Sequence, residues 1–364
     1  MKNILIIASS GMGSTGVPNV IAQVVKSQMN KVHFIVAVFN DDNHYYPLLQ
    51  EANAKIVRMR SNAPRGTFGK LCWHFFKMGL QYEREIKQII LREKIDIIHC
   101  FKEEESWPFL KAAKDCGVET RIVHCNSEFK RRKKVLPRLI SVRNKRRTLK
   151  YGNVFVGGSE KCCESLFEKK HFEVIHYTYN EHFFNSDVKN KLVDELVLTQ
   201  IATFSSNKNQ LYSINIAKAI IDMGIDCNLS LVGFSNQDGY EEEMKKLIEN
   251  LGMDKHVSII DGRNGPGDVL NNTTFFILPS ISEGAPLTLI EAQACGITCF
   301  ASDTITHEVD CGGVRYLPIT KDPSCWAAEI IKLFEKQKNK RVAYDVSEFS
   351  FSNFSSKLSS LYKI

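Results

Sequence analysis

The chain has 364 residues, 43% hydrophobic and 24% charged, with a formal net charge of +7. That length exceeds one ordinary core and suits two domains of roughly 150 to 190 residues, while the composition excludes disordered, collagen-like and disulfide-scaffold classes. No apolar run reaches the roughly 18 to 20 residues a membrane-spanning helix needs, and a strand-like run begins almost directly after Lys2, so an uncleaved cytoplasmic chain is expected.

In chain order, β-former-rich runs at 4–8, 32–39, 54–59, 95–100, 120–124 and 153–156 alternate with helical patterns at 17–28, 70–93 and 108–115. Such alternation predicts a parallel sheet covered by helices. Ser159 stands at a helix N-cap position, with Glu160 and Glu164 in the first turns. A run at 173–177 and the polar stretch 178–191 read as a crossing to a second unit. There the rhythm resumes, with strands at 197–202, 227–232, 257–260 and 273–278 and helices at 209–223 and 241–251. Two doubly wound units imply a ligand cleft between them, near the carboxyl ends of the strands. The chain closes on an amphipathic pattern at 349–364, carried by Phe354, Leu358, Leu361 and Tyr362.

The positive charge is concentrated. Residues 130–150 hold eleven Lys or Arg and no acid, so the rest of the chain carries −4. Lys130, Arg131, Arg132, Lys133, Lys134, Arg143 and Arg146 are prominent members. Val135, Leu136, Leu139, Ile140 and Val142 give the segment an apolar side at helical spacing. Three readings compete: a solvated helix packed by that apolar side, a patch for an anionic membrane surface or lipid diphosphate acceptor, and a nucleic-acid contact. Nucleic acid is least favoured, because neither interleaved aromatics nor a binding motif accompanies the charge. The eleven cysteines lack zinc-type spacing and are expected to be reduced, mostly structural thiols.

Near the C-terminal third, the apolar run TTFFILP at 273–279 leads into Glu283-Gly284-Ala285-Pro286-Leu287-Thr288, and Glu291 follows eight positions after Glu283. Pro286 suits the first helical position and Gly296 a helix end, predicting a helix of about nine residues. The amides at its start favour an anion, and carboxylates beside it accept hydroxyls. Spacing alone leaves this reading level with two ordinary surface acids.

The longer string PSISEGAPLTLIEAQACG closely resembles the signature of retaining glycosyltransferases of the two-domain GT-B fold, specifically family 4. The resemblance implies an α/β GT-B architecture: two doubly wound Rossmann-like domains, 1–180 on the acceptor side and 181–348 binding the donor, facing a central cleft. It implies that the terminal helix at 349–364 joins the first domain. In that family the first acid contacts donor-sugar hydroxyls and the second the nucleotide ribose. Here these are Glu283 and Glu291, with Gly284, Ala285, Pro286, Leu287 and Thr288 between them.

Other family positions follow. Gly233 resembles the glycine that lets backbone approach the nucleotide. Relatives commonly read G-R-F-x-x-x-K-N where this chain has Ala202-Thr203-Phe204-Ser205-Ser206-Asn207-Lys208-Asn209. Lys208 is therefore expected to grip the diphosphate, and Thr203 replaces the usual Arg. Losing one charge-assisted contact costs on the order of 1.5 to 3 kcal/mol unless another group substitutes. Arg263 is the candidate substitute. His124, at the end of a strand, matches a His that lies beside the reacting sugar; His99 is the second choice.

Gly11, Gly13 and Gly16 match G-x-G-x-x-G after a strand. Alone this is a dinucleotide fingerprint, but Asp41 and Asp42 lie about 25 residues past Gly16, displaced from the expected acid. The resemblance instead assigns Gly13, Thr15 and Gly16 to a loop near the acceptor and donor phosphates. The implied activity is transfer of a sugar from a nucleotide-sugar donor to an acceptor hydroxyl in cell-surface polysaccharide or glycolipid synthesis. It is expected to retain anomeric configuration and to use no metal or resident cofactor, since no Asp-x-Asp motif is present. A lipid-linked saccharide acceptor and peripheral attachment to the inner membrane face would follow. The alternatives are a noncatalytic GT-B subunit and an NAD-dependent oxidoreductase.

Overall fold

The computed structural model describes residues 1–13, 16–59, 78–129, 134–179, 195–235, 237, 239–262, 267–337 and 341–364. The chain divides into two units, Met1–Tyr177 with Phe351–Ile364, and Thr178–Ser350. Each is an α/β unit built on one parallel sheet.

In the first unit the elements are β1 (Lys2–Ile7), α1 (Gly16–Gln28), β2 (Val32–Val38), α2 (Tyr46–Glu51), β3 (Lys55–Arg58), α3 (Met78–Glu93) and β4 (Ile97–Cys100). A 3-10 turn (Glu103–Ser106), α4 (Trp107–Asp115), β5 (Thr120–Cys125), α5 (Val135–Tyr151), β6 (Val154–Gly157), α6 (Glu160–Phe167) and β7 (Glu173–Val174) follow. The seven strands run in the order β3-β2-β1-β4-β5-β6-β7. Strand β4 is buried along its whole length because helices cover both faces, which explains its unbroken apolar reading. Ser159 caps α6, its hydroxyl accepting from Cys162 N at 3.3 Å.

The second unit holds β8 (Leu196–Ile201), α7 (Gln210–Asp222), β9 (Cys227–Gly233), α8 (Tyr240–Asn250), β10 (Val257–Asp261), a 3-10 turn (Gly267–Asn272) and β11 (Phe275–Leu278). Then come α9 (Leu287–Ala294), β12 (Thr298–Ser302), β13 (Val314–Leu317) and α10 (Pro323–Gln337). The sheet order is β10-β9-β8-β11-β12-β13, again parallel. Strand β13 and helix α10 have no counterpart among the sequence-derived elements. Partial exposure along β13 and its central Arg315 hide its apolar signal. The described cysteines are free thiols, most of them buried.

The last helix, α11 (Phe351–Tyr362), belongs to the first unit. It buries Phe354, Leu358 and Tyr362, one side of a helix at four-residue steps. It is tied to α1 by polar contacts: Gln28 Nε2 donates to the Ser355 backbone O at 2.7 Å, and Ser355 Oγ to Ser27 O at 3.0 Å.

Helix α5 corrects an expectation. Its buried residues are Ile140, Ser141, Asn144, Lys145 and Thr148, so four of the five are polar. Val135, Leu136 and Leu139 face outward instead of packing. The reason lies in its neighbours: Ser141 Oγ donates to Glu104 Oε1 at 3.0 Å, Thr148 Oγ1 to Glu104 O at 2.9 Å, and Lys145 Nζ to Ser165 O at 2.8 Å. These polar ties fix the rotation of the helix. Lys134, Arg143 and Arg146 lie on or beside it, whereas Lys130, Arg131, Arg132 and Lys133 lie outside the described residues.

Candidate functional site

Strands β8 and β11 are neighbours in a parallel sheet, so the loops leaving their carboxyl ends emerge side by side. One loop carries Lys208 and the other Glu283. Their side chains meet in a two-pronged ion pair, with Lys208 Nζ 2.5 Å from Glu283 Oε1 and 2.6 Å from Oε2. The side chains remain 23% and 10% exposed, so the pair sits at a surface and not inside the core.

The backbone under this pair is held on several sides. Asn207 Nδ2 donates to Ser282 O at 2.9 Å, Ile281 N to Asn207 O at 2.8 Å, and Asn209 Nδ2 to Pro279 O at 3.2 Å. Thr304, after β12, donates to Ile281 O at 2.8 Å. Buried Gln200 donates to Lys208 O at 2.7 Å, and its own oxygen accepts from Ser213 at 2.7 Å. Buried Gln210 donates to Thr203 O at 3.0 Å. Asn209 adopts a left-handed backbone, φ 59°, which Asn tolerates better than most residues. Sequence reasoning missed Gln200, Asn207, Gln210 and Thr304. The only sequence signal was polar residues beside a buried strand end.

Glu283, Gly284 and Ala285 lead into α9. Pro286 is its N-cap, with ψ 90°, so the helix starts at Leu287 and runs eight residues, one position later than expected. Pro286 has no side chain able to cap, so the first-turn amides, Thr288 among them, receive no side-chain cap. Gly296, at φ 71°, ends the helix; a Cβ there would stand 2.8 Å from Val342 O.

Glu291 projects from the second turn of α9 and is half-buried. It makes no side-chain hydrogen bond or ion pair among the described residues, and burial pushes its carboxyl up to about 7 from an ordinary 4.5. A carboxylate that keeps part of its surface yet has no protein partner is ready to accept a ligand hydroxyl.

Gly233 ends β9 where the chain after β8 crosses closely. A Cβ would fall 2.0 Å from Ala202 O, so the close approach that demands glycine here is that of neighbouring backbone. Arg263 lies outside the described residues. Lys208 is accordingly the cation the described site shows, and Glu283 already occupies it.

The glycine-rich loop of the first unit has a packing explanation. A Cβ on Gly11 would overlap Asn40 Oδ1, and Gly13 lies against Asp42. Met12 N donates to Asp42 O at 2.8 Å, and Phe39 N to Ser10 O at 3.0 Å. The side chains of the loop after β2 thus occupy the space beside Gly11 and Gly13, and they include an acid. Gly16 is exposed at the start of α1, and Thr15 lies outside the described residues.

His124 requires a correction. It is fully buried at the end of β5, with Nδ1 3.0 Å from His99 Nε2 and Nε2 3.1 Å from Tyr177 OH. His99 Nδ1 in turn lies 2.7 Å from Tyr362 OH on α11. One proton arrangement satisfies the whole row: Tyr362 donates to His99, His99 to His124, His124 to Tyr177, and Tyr177 to Asn126 Oδ1 at 3.1 Å. Phe101 stacks on His124 at 4.4 Å between centroids. Burial drives His124 down to about 3 and His99 well below its usual value. Neither imidazole offers a free nitrogen to a sugar.

Acids after β4 are tied into the fold. Glu103 Oε1 accepts from Asn126 N at 3.2 Å, Ser127 N at 2.8 Å and Ser127 Oγ at 2.9 Å, joining the ends of β4 and β5.

Residues 182–345 match the family described as Glycosyl transferases group 1. The second unit is thus similar to a group 1 glycosyltransferase domain. Lys208, Glu283, Glu291 and the residues that brace them all fall within this domain. The chain is 32% identical over 150 residues to "Putative glycosyltransferase EpsF" of Bacillus subtilis (strain 168), covering 41% of this chain and 38% of that protein. It is 24% identical over 269 residues to the "Capsular polysaccharide biosynthesis glycosyltransferase CapH" of Staphylococcus aureus, covering 69% and 72%. A third relative, the Escherichia coli "UDP-Gal:alpha-D-GlcNAc-diphosphoundecaprenol alpha-1,3-galactosyltransferase", is 32% identical over 127 residues, covering 32% and 31%. The chain thus spans well under half of the first relative. The crystal structure of Anabaena HepE in complex with UDP and glucose superposes with a TM-score of 0.75 at 15% identity, covering 100% of both chains. The fold is GT-B, two Rossmann-like domains of parallel sheet and helix. Among the described residues no helix is long and apolar enough to cross a membrane.

Proposed function

We propose that this protein transfers a glycosyl group from a nucleotide sugar to an acceptor hydroxyl during assembly of a surface polysaccharide, with retention of anomeric configuration. The observation that carries the reading is the Lys208–Glu283 pair beside the uncapped start of α9, with Glu291, which has no side-chain partner among the described residues, one turn further on. Glu291 would accept the ribose hydroxyls. Lys208 and the amides from Ala285 to Thr288 would face the diphosphate, and Glu283 the sugar hydroxyls.

The donor then has to exchange partners with the existing ion pair. Its diphosphate takes Lys208, which frees Glu283 for the sugar. As the glycosidic bond to the phosphate breaks, the sugar gains oxocarbenium character and the β-phosphate oxygen gains negative charge. Lys208 and the helix start stabilise that oxygen where the charge develops. The departing phosphate accepts the acceptor's proton as the new bond forms on the same face of the sugar.

This reading needs no resident cofactor or metal, and it assigns His124 no contact with substrate. Retention and the family 4 assignment rest on the motif from Pro279 to Gly296. UDP is the first donor nucleotide to try because the HepE structure contains UDP and glucose. A lipid diphosphate-linked saccharide is the acceptor class to try because the Escherichia coli relative is named for one. An oxidoreductase reading is disfavoured by Asn40 and Asp42 against the glycine-rich loop.

Calorimetry with UDP and a panel of nucleotide sugars, followed by nucleoside diphosphate release with a lipid-linked acceptor extract, tests the proposal. Saturable binding that Glu291→Ala weakens is expected. Failure of every common nucleotide sugar to bind or turn over would overturn it.

A further inference from the structure

Gln200 places a carboxamide where methionine, of nearly the same shape, would bury at no polar cost. It lies on β8, a strand flanked by β9 and β11, and is 1% exposed. An amide taken out of water costs free energy unless its hydrogen bonds are restored, and the sheet does not ask for them, since Gln200 pairs with Leu231 of β9 through backbone alone. The side chain spends its bonds elsewhere. Its Nε2 donates to Lys208 O at 2.7 Å, and its Oε1 accepts from Ser213 Oγ at 2.7 Å. Gln200 thereby joins the strand, helix α7 and the loop that carries Lys208.

The bond to Lys208 O falls at a strained place. The next residue, Asn209, has φ 59°, and the peptide between the two is held at its oxygen by Gln200 and at its N–H by Ser205 O at 3.2 Å. The bond from Gln200 is the shorter. Without it, turning that peptide over would return Asn209 to an ordinary backbone at the expense of one long hydrogen bond. The same turn would change the direction in which the Lys208 side chain leaves the loop. Gln210, also fully buried, clamps the other end of the loop through Thr203 O at 3.0 Å.

We infer that Gln200, oriented in turn by Ser213, is a positioning residue: it fixes the backbone pivot from which the Lys208 ammonium moves between Glu283 and a donor diphosphate. Its part in donor binding rests on the nucleotide-sugar reading of the site. In that reading the ammonium leaves carboxylate oxygens 2.5 and 2.6 Å away and meets a phosphate from the same loop. A fixed pivot confines the exchange to side-chain rotation. A loose one spreads the ammonium over positions that reach neither anion well. The flexible four-carbon stem of lysine absorbs part of any shift, so loss of Gln200 is expected to cost less than loss of the ammonium itself.

Acetylation of the full chain, followed lysine by lysine with mass spectrometry, reports how firmly Lys208 is held against Glu283 and needs no ligand. In Gln200→Met, Lys208 should acetylate about five- to tenfold faster than in the parent, while Lys218, paired with Asp222 on α7, keeps its rate. Ser213→Ala leaves Gln200 in place but frees its carboxamide, and should raise the Lys208 rate about two- to fourfold. That variant decides the matter if Gln200→Met fails to fold. Calorimetry with UDP then separates positioning from general damage. Gln200→Met should weaken UDP binding about tenfold by itself but less than about twofold when added to Lys208→Ala, because its effect runs through that ammonium. An unchanged Lys208 rate in either variant overturns the inference. So does an equal acceleration at Lys218, or a loss of UDP affinity of the same size with and without Lys208. A parent that binds no nucleotide or nucleotide sugar defeats the donor reading alone, since the acetylation rates still decide whether Gln200 holds Lys208.

Discussion

The strand ends of the two sheets carry chemically similar groups in opposite states. In the first unit His99 and His124 form a closed row with Tyr362, Tyr177 and Asn126, and every ring nitrogen has a partner. In the second unit Lys208 and Glu283 remain partly exposed and Glu291 has no partner among the described residues. Residue type therefore does not distinguish a structural constellation from a binding one. Unspent hydrogen-bonding capacity that solvent can reach does.

Lys208→Ala should give the largest effect and would break the comparison if it did not. A loss of roughly 10² to 10³ in kcat, measured as nucleoside diphosphate release, is expected for removing a group that meets developing charge. Glu291→Ala should weaken UDP binding by calorimetry roughly tenfold to a hundredfold, as expected for loss of charged hydrogen bonds. His124→Leu should do the reverse. It orphans His99 Nε2 and removes the donor to Tyr177 OH, lowering stability by about 1 to 3 kcal/mol in urea titration, while kcat of the folded protein stays within about twofold.

The two regions should also titrate in opposite directions. His124 is held near 3, below its ordinary 6.5, so its neutral form stabilises the fold fully above 6.5 and progressively less as pH falls toward 3. Glu291 is raised from 4.5 to about 7, so the fold favours its protonated form, and the charged form weakens the fold as pH rises through 7. Glu291→Gln should therefore raise the melting temperature of the free protein above pH 7 and leave it unchanged below 4.5. A uniform shift at all pH values would locate the effect elsewhere. The smallest change should come from Glu283→Gln. Releasing Lys208 should tighten UDP alone a few-fold and erase any preference for the sugar-bearing nucleotide, seen by calorimetry with the two ligands. Weaker UDP binding would mean that Glu283 supports Lys208 instead of competing for it.

Much of this was legible in the chain. Alternating apolar runs set the parallel sheets because strands covered on both faces must be apolar throughout. The interval from Pro279 to Gly296 located the α9 junction, since proline and glycine punctuate backbone geometry locally. The bracing by Gln200, Asn207, Gln210 and Thr304 was not legible, because each reaches a carbonyl brought near only by the sheet. The partners of His99 and His124 were hidden for the same reason: Tyr362 lies 263 residues from His99 in the chain.

Sequence alone determined the two α/β units, the cationic segment and the pair Glu283 and Glu291, because periodicity, charge and turn chemistry are local properties. Tertiary structure decided which polar groups are already spent. It joined Lys208 to Glu283, closed the histidine row, and turned Val135, Leu136 and Leu139 outward. Periodicity shows that a helix has an apolar side, but the neighbours that bind its polar side decide which way that side faces.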